Sequence, residues 1–201
     1  MLRGGAVIKA LEEKILRDGA VLPGDILKVD SFLNHCIDVS FIMEMGKEIA
    51  KLYEGEGVNK ILTIETSGIP IAFACAQAMN VPLVFVKKCK SSNISDHVYS
   101  SQVASFTKKI VYDVMVSKEF LGKEDRVLVV DDFLAKGNAL NGLMDIIKQA
   151  GASLVGCAIA IEKGFQGGGD ELRAKGIRVD SLAIVESMTD TTLTFRKQDS
   201  M

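Results

Sequence analysis

The feature that most constrains this chain is the segment from Arg126 to Asn141, with the sequence RVLVVDDFLAKGNALN. Its apolar run, Val127–Val130, is followed directly by two adjacent carboxylates, Asp131 and Asp132. An apolar run between charged residues is typical of a strand that is buried on both faces of a parallel sheet. A small-residue loop follows, and the amphipathic stretch 138–150 predicts a helix. The segment therefore predicts a strand–loop–helix unit of an α/β protein.

The carboxyl end of this predicted strand is where the unit would bind a ligand. In open α/β sheets ligands lie just beyond the carboxyl ends of the strands, and the free N–H groups at a helix start favour an anion. Asp131 and Asp132 could accept sugar hydroxyls or hold a metal ion, and the turn around Gly137 could hold a phosphate. Similar acidic pairs occur as metal ligands in receiver domains and as helix caps. The unit alone therefore leaves open a sugar-phosphate site, a metal site of the receiver type and a simple helix cap.

Composition and charge exclude several classes of protein. With 201 residues, of which 48% are hydrophobic and 25% charged, we expect one well-buried domain spanning residues 1–201. A formal net charge of −2 argues against nucleic-acid binding, and no apolar run reaches the roughly 20 residues of a membrane span. The N-terminal residues acquire charges too early for a secretory signal. We therefore expect a cytoplasmic protein whose four cysteines are reduced.

Two further strands are predicted to end at the same edge of the sheet. Lys60–Glu65 predicts a buried strand, and the sequence ETSG at residues 65–68 then leads into an apolar helix. Val81–Val86 predicts the next strand, which ends in Lys87 and Lys88. Small-residue turns at helix starts suit anions. The sequence therefore predicts several anion-binding groups along one edge.

A long polar stretch precedes the central unit. Residues 89–107, CKSSNISDHVYSSQVASFT, hold no lasting period of 2 or 3.6. Loops of this length inside compact domains often act as active-site lids, and a lid that excludes water would protect a reactive sugar cation. The alternatives are a disordered excursion and a β-hairpin. The following residues, 110–116, alternate as an antiparallel strand would.

The two ends of the chain complete the predicted sheet. Residues 153–161 predict a buried strand that ends in the sequence EKGF, and two more strands are predicted at 177–185 and 192–195. Near the amino terminus, residues 26–33 show no clean period and predict an irregular or short extended segment. A helix capped by Asp38 or Ser40 is expected after it.

The central motif resembles the signature with which type I phosphoribosyltransferases bind phosphoribosyl pyrophosphate (PRPP). The resemblance extends over nearly the full length and is greatest for the purine enzymes, in particular the bacterial branch that acts on xanthine. Matching segments are LKVDSFLNH at 27–35, ETSG at 65–68, SFTKK at 105–109 and IEKGFQ at 161–166. It implies the type I phosphoribosyltransferase fold: an α/β fold with a central, mostly parallel twisted sheet flanked by helices, a small hood and a flexible lid loop.

The resemblance also implies an activity and a role for individual residues. The activity would be transfer of the 5-phosphoribosyl group from PRPP to xanthine, giving xanthosine 5′-monophosphate and pyrophosphate, with Mg²⁺ bound through PRPP and the enzyme acting as a homodimer. Asp131 and Asp132 would hold the ribose hydroxyls and help to organise Mg²⁺. Backbone N–H groups would wrap the 5′-phosphate at Ala135, Lys136, Gly137, Asn138 and Ala139. The pyrophosphate would be held by Thr66, Ser67, Gly68, Lys87 and Lys88. The base would contact Leu27, Asn34, Phe133 and Lys163.

The central loop departs from the family pattern in two ways, and the second bears on the choice of base. Many members carry hydroxyl residues where this chain has Lys136 to Ala139, so backbone donors remain but hydroxyl contacts do not. At Ala135 the hypoxanthine–guanine branch carries an aspartate that can act as a base at the purine. Without it, a base that ionises near neutral pH is favoured, and xanthine fits best. Lys163 can only donate hydrogen bonds, which suits a 6-oxo group and not a 6-amino group.

The main alternative from another class is a purine-operon regulator, which shares this fold and binds PRPP without catalysis. Such regulators add an N-terminal DNA-binding domain, whereas only 26 residues precede the segment that starts at Leu27. The nearly neutral charge also argues against DNA binding. A receiver-like domain would explain neither the EKGF segment nor the lid. We therefore expect the enzyme.

Overall fold

The computed structural model describes residues 5–89, 97–105, 110–189 and 191–198. Its strands, in chain order, are β1 (Ala20–Leu22), β2 (Ile26–Lys28), β3 (Lys60–Ile64), β4 (Leu83–Cys89), β5 (Val98–Ser105), β6 (Ile110–Ser117), β7 (Arg126–Leu134), β8 (Ser153–Lys163), β9 (Val179–Met188) and β10 (Leu193–Phe195). Its α-helices are α1 (Gly5–Asp18), α2 (Val39–Leu52), α3 (Ile69–Met79), α4 (Asn138–Gln149) and α5 (Gly168–Ala174). A π-helix (Asp30–Asn34) and a 3₁₀ turn (Gly164–Gln166) complete the elements.

Eight of these strands form one sheet in the order β10-β9-β8-β7-β3-β4-β6-β5. The central pairs, from β9 across to β4, are parallel. The pairs at the two edges are antiparallel. This mixed, mostly parallel sheet with flanking helices confirms the predicted α/β fold. None of the described helices is long and apolar enough to cross a membrane.

The central strand β7 is buried on both faces, as its apolar run predicts. All four residues from Val127 to Val130 are fully buried. Leu128 and Val130 belong to the core on the side of α2 and α3, and Val127 and Val129 to the core on the side of α4. Burying large aliphatic side chains on both faces stabilises the fold by about 1.5–3 kcal/mol per side chain. The strand continues through both aspartates to Leu134, beyond the predicted apolar run.

The amino-terminal region forms a small hood at the carboxyl end of the sheet. β1 and β2 pair as an antiparallel ribbon, and the ribbon's turn reaches β8, where the backbone oxygen of Asp25 accepts a hydrogen bond from Lys163. The segment 26–33, which we expected to be irregular or short and extended, is a short strand followed by the π-helix. The next helix, α2, is capped by Asp38, whose carboxylate accepts the N–H of Phe41 at 3.2 Å. Asp38 is therefore the cap of the two predicted candidates.

The predicted lid differs in part from the structure. Residues 98–105 are strand β5, paired antiparallel with β6 from Val98 opposite Ser117 to Ser105 opposite Ile110. The alternative of a β-hairpin is therefore the better description of this part. Residues 90–96 and 106–107 of the predicted lid lie outside the described residues. The sequence shows no alternation of apolar and polar residues here because β5 is an edge strand. Its buried aliphatic residue is Val103, which packs against Gly142 of α4.

Candidate active site

The two aspartates at the end of β7 form an acidic pair, of which Asp131 is buried and Asp132 half-buried. Asp131 is 4% exposed and its Oδ1 accepts the backbone N–H of Asp132 at 3.0 Å. Burial raises the pKa of Asp131 well above its usual value, and the negative charge of Asp132 raises it further. Burial also raises the pKa of Asp132. The positive charge of Lys88 opposes both shifts. A cation bound beside the pair would relieve the same electrostatic cost.

The loop after β3 packs directly against this pair. A Cβ atom on Gly68 would lie 2.6 Å from Oδ1 of Asp131 and even closer to Oγ1 of Thr63, so a larger residue would clash with both. The hydroxyl of Thr63 is buried there and has no hydrogen-bond partner among the residues that the structure describes. The loop also reaches β4, because Glu65 accepts the backbone N–H of Lys88 at 2.6 Å. The structure therefore joins the ETSG loop, the acidic pair and the end of β4.

The two lysines at the end of β4 lie on opposite faces of the strand. The ammonium of Lys88 is close enough to influence both aspartates, and it lies 5.2 Å from the ring centre of Tyr112. The ammonium of Lys87 instead lies 5.9 Å from the ring centre of Phe85 and borders a separate apolar cavity. Successive residues of a strand alternate in direction. Of the two predicted lysines, Lys88 is the one that the structure brings to the acidic pair.

The loop after β7 leaves backbone N–H groups free at the start of α4. Gly137 precedes the helix with φ of 80°, and no side chain caps the helix start. The first N–H groups of an α-helix have no partner inside the helix. Asn138 is turned away from these groups, because its amide donates to the backbone oxygen of Ala104 in β5 at 2.9 Å. The loop could therefore bind an anion through backbone groups, and the Asn138 side chain ties the loop to the edge strand.

The loop, the ring of Phe133 and Lys163 enclose one cavity. Its volume is about 230 Å³. Residues lining it come from the predicted phosphate loop, the hood, β5 and the 3₁₀ turn, and include Gly24, Asp25, Ala104, Phe133, Ala135, Lys136, Gly137, Asn138, Ala139, Lys163 and Gln166. The predicted 5′-phosphate residues and two of the four predicted base residues therefore share a single cavity at the carboxyl end of the sheet.

Lys163 lies over the face of Phe133 and is held by the hood. Its ammonium nitrogen is 5.6 Å from the centre of the Phe133 ring and 2.6 Å from the backbone oxygen of Asp25. Burial lowers the pKa of Lys163, and the negative charge of Asp25 partly offsets this effect. The arrangement places one cation and one aromatic face side by side, which is suited to a planar ligand with a hydrogen-bond acceptor at its edge.

The other two predicted base residues lie outside the described lining of this cavity. Leu27 is buried in the core, with 6% of its surface exposed. Asn34 ends the π-helix, and its side-chain oxygen is buried with no hydrogen-bond partner in the described part of the chain. An unpaired buried amide oxygen is costly, and a ligand donor would relieve that cost.

The acidic pair suits Mg²⁺ shared with a phosphorylated ligand. Within the described residues, no group of three or more His, Cys, Asp or Glu side chains could hold a metal ion by itself. Mg²⁺ is usually bound through one or two carboxylates together with substrate phosphates. The buried carboxylate of Asp131 and the half-buried carboxylate of Asp132, beside backbone groups that suit an anion, fit this pattern and would supply the protein oxygens.

Comparison with known proteins identifies the family. The model of the phosphoribosyl transferase domain matches residues 38–191. The chain belongs to the phosphoribosyltransferase family. A xanthine phosphoribosyltransferase of Lachnoclostridium phytofermentans is 53% identical over 191 residues, which cover 94% of this chain and 98% of that protein. The enzyme of the same name from Clostridioides difficile is 54% identical over 190 residues, covering 94% of this chain and all of that protein.

Solved structures of the family share the fold. The adenine phosphoribosyltransferase of Giardia lamblia, complexed with 9-deazaadenine, superposes with a TM-score of 0.74 at 20% sequence identity. The match covers 90% of this chain and 98% of that one. At this identity the likeness supports the architecture and carries no information on the base. The assignment to type I phosphoribosyltransferases is therefore confirmed by both sequence and fold.

Several residues of the site were missed from the sequence. Asp25 contributes a backbone oxygen, so its side-chain type gave no signal. Gln166 lines the cavity from a 3₁₀ turn that the pattern of apolar residues does not mark. Ala104 lies in the segment that was predicted as a lid. Gly168, the first residue of α5, is the position at which the backbone of residues 135–137 approaches closely, and the glycine there is a visible sign of this approach in the sequence.

Proposed function

We propose that this protein transfers the 5-phosphoribosyl group from PRPP to xanthine, giving xanthosine 5′-monophosphate and pyrophosphate. The observation that carries the proposal is the shared cavity, in which the backbone donors of residues 135–139 lie beside the ring of Phe133 and the cation of Lys163. A phosphate, a planar base and an oxo group need this set of partners. The curated relatives, whose names specify xanthine, support the choice of base.

The two phosphorylated ends of PRPP would be bound by two loops at the edge of the sheet. Backbone N–H groups between Ala135 and Ala139 would hold the 5′-phosphate at the start of α4. Thr66, Ser67 and Gly68 would hold the pyrophosphate together with Lys88. The close packing of Gly68 on Asp131 supports this assignment, because the loop of residues 66–68 then borders the acidic pair, which leads in the chain to the loop of residues 135–139. The pair itself would accept the ribose hydroxyls.

The base would stack on Phe133 and receive a hydrogen bond from Lys163. In the ligand-free protein this ammonium donates to the Asp25 backbone, so base binding would exchange or share that partner. The buried, unpaired oxygen of Asn34 would accept a ring N–H. Leu27 would contribute apolar contact from the hood. A charged donor also favours a base that has lost a proton, which compensates for the absence of a carboxylate at Ala135.

The reaction is a glycosyl transfer in which the protein mainly positions the reactants. The bond from the ribose C1 to pyrophosphate breaks, and a bond from C1 to a purine nitrogen forms, through a sugar with oxocarbenium character. The purine enters as an anion or loses its proton, and the electron pair of the broken bond leaves with pyrophosphate. Lys88 and the backbone dipoles of residues 66–68 would stabilise that leaving group. When bound, Mg²⁺ would add charge neutralisation of the phosphates.

The proposal includes an assembly and a location. We treat residues 1–201 as one phosphoribosyltransferase domain, supported by the family match over 38–191. A homodimer is supported by Phe85 and Phe120, which are exposed and border an apolar cavity of about 470 Å³ on the outer strands. A cytoplasmic location is supported by the free thiols of Cys75 and Cys157, which are buried in the core. Neither nucleic acid nor membrane is proposed as a partner.

The test is an assay of purified protein with PRPP, Mg²⁺ and xanthine. The proposal requires loss of free xanthine that depends on PRPP and is matched by pyrophosphate release. The double variant Asp131→Asn, Asp132→Asn is the negative control. A protein that binds PRPP tightly without consuming any purine would instead be a regulator of the kind considered from the sequence.

A further inference from the structure

We propose that Glu162 and Arg173 form a positioning unit that fixes the phosphate loop, residues 135–139, for PRPP. The inference rests on the proposed function and assigns a role to residues that the function does not otherwise use. Neither residue lies in the described lining of the active-site cavity. Glu162 precedes Lys163 at the end of β8, and Arg173 lies on α5.

Glu162 is a fully buried carboxylate whose oxygens are all occupied by partners. Arg173 donates to Oε1 at 2.9 Å and to Oε2 at 2.6 Å. Oε2 also accepts the hydroxyl of Ser181 from β9. Such a bidentate pair fixes the relative orientation of the arginine and the carboxylate in addition to pairing their charges. A buried ion pair contributes little net stability by itself, so its geometry is the informative property.

Arg173 also fastens α5 to β9, and its neighbour Asp170 in the same helix fastens α5 to the segment after β10. Its Nε donates to the backbone oxygen of Val179 at 3.0 Å, and its Nη1 donates to Asp170 at 3.1 Å. Asp170 in turn pairs with Arg196, which follows β10, at 2.8 Å. Gly169 allows this arrangement, because any Cβ atom there would clash with the Glu162 carboxylate. The helix therefore has one position relative to β8 and β9.

The first turn of α5 lies directly against the phosphate loop. The N–H of Gly168 donates to the backbone oxygen of Ala135 at 3.2 Å. A Cβ atom on Gly168 would lie 2.6 Å from the carbonyl carbon of Lys136 and 2.8 Å from the nitrogen of Gly137. The loop therefore rests on the helix backbone. Since Glu162 and Arg173 set the position of the helix, they also set the direction of the loop's N–H groups.

The direct test is the substitution Gly168→Ala, which adds a methyl group where α5 contacts the phosphate loop. The added Cβ atom would clash with the backbone oxygen of Ala135, which accepts the Gly168 N–H, and with the backbone of residues 136 and 137, so it pushes the loop away. A misplacement of about 1 Å can cost roughly 10²-fold, and we expect the dissociation constant for PRPP, measured by calorimetry without xanthine, to rise at least tenfold. The KM for xanthine, measured at saturating PRPP, should stay within twofold. Gly122→Ala is the matched control, because a Cβ there meets nothing within 4 Å.

A second variant tests the ion pair itself. Glu162→Gln keeps the shape of the side chain but leaves Arg173 facing a neutral amide. We therefore expect the dissociation constant for PRPP to rise, as in Gly168→Ala, and the melting temperature to fall. Unchanged PRPP affinity in Gly168→Ala would overturn the inference, as would an equal loss of xanthine and PRPP affinity. If the wild-type protein itself fails to consume xanthine, the proposed function fails instead, so the two failures are distinguishable.

Discussion

The ammonium of Lys163 lies 5.6 Å from the centre of the Phe133 ring and 2.6 Å from the backbone oxygen of Asp25. The two side chains come from β7 and β8, which run parallel and end at the same edge of the sheet. A base stacked on Phe133 would therefore meet a cation at its edge. The hydrogen bond to Asp25 holds that cation in place when no base is bound.

Lys163→Met tests this arrangement, because it keeps much of the apolar stem and removes the charge. A lost charge-assisted hydrogen bond is worth about 1.5–3 kcal/mol, or roughly 10- to 150-fold, and the KM for xanthine should rise by that factor. The KM for PRPP should change little, since the residues proposed to bind PRPP, 66–68, Lys88 and 131–139, do not include Lys163. The preference for xanthine over guanine should shrink as well. Steady-state kinetics with each substrate varied in turn gives all three values.

The matched control is Lys123→Met, which removes an exposed lysine whose surface ion pair with Glu124 spans 3.9 Å. It should leave every kinetic constant near the wild-type value. An unchanged xanthine KM in Lys163→Met would make Lys163 a surface lysine that serves only to hold the hood.

The two neighbouring lysines of β4 provide a second, internally controlled prediction. Lys88→Met should raise the KM for PRPP about tenfold or more, because it removes a positive charge beside the acidic pair and the leaving group. Lys87→Met should have less than about a threefold effect, because its side chain lies beside Phe85 on the opposite face. Kinetics at varied PRPP decide the matter, and equal losses in both variants would contradict the assignment of Lys88 alone.

The sequence was sufficient to predict those parts of the candidate site that depend on the type of side chain and on where the strands end. Asp131, Phe133 and Lys163 follow buried apolar runs, and parallel strands bring such positions to one edge. The sequence was not sufficient for those parts that depend on the direction of a side chain along a strand or on a backbone group. Residue Lys87 was grouped with Lys88 because both follow the strand, although alternation separates them. The role of Asp25 rests on a carbonyl group, which every residue carries.

Edge strand β5 shows a second limit of prediction from the sequence. Its serines give no clear alternation, since Val103 is the buried aliphatic residue of the strand, where it packs against Gly142 of α4. The link from Asn138 to Ala104 was equally invisible, because it joins a side chain to a backbone oxygen 34 residues away in the chain. Tertiary contacts of this kind override local pattern.

Asp131→Asn should make the ligand-free protein more stable and inactive. The raised pKa of Asp131 means that the folded protein binds this proton more tightly than the unfolded chain does, so the ionised carboxylate costs stability at pH values above its native pKa. The melting temperature in EDTA should rise by about 2–4 °C for each kcal/mol relieved. The gain should be greater at pH 8 than at pH 5. Turnover should fall by at least about 10²-fold.

The contrasting measurement is the same melt with Mg²⁺ and PRPP added. Ligand binding should raise the melting temperature of the wild-type protein more than that of Asp131→Asn, because binding to the folded state alone is stabilising. A variant that is less stable than the wild type at pH 8, or that keeps near-wild-type turnover, would mean that Asp131 is a structural cap.

The lid hypothesis predicts a change in amide hydrogen exchange over residues 89–107. If this segment closes over bound PRPP, exchange there should slow when Mg²⁺ and PRPP are added. The hydrogen bond from Asn138 to Ala104 offers a route by which the phosphate loop could influence β5. Asn138→Ala should therefore weaken the protection in residues 98–105. Unchanged exchange with PRPP bound would exclude closure.

A competition assay tests the central claim most directly. Equal concentrations of xanthine, guanine, hypoxanthine and adenine are supplied together with limiting PRPP and Mg²⁺, and the nucleotides formed are identified by mass. The account predicts that xanthosine 5′-monophosphate dominates, with pyrophosphate released in equal amount and adenosine 5′-monophosphate undetected. Predominant formation of another nucleotide, or PRPP binding with no nucleotide formed, would contradict it.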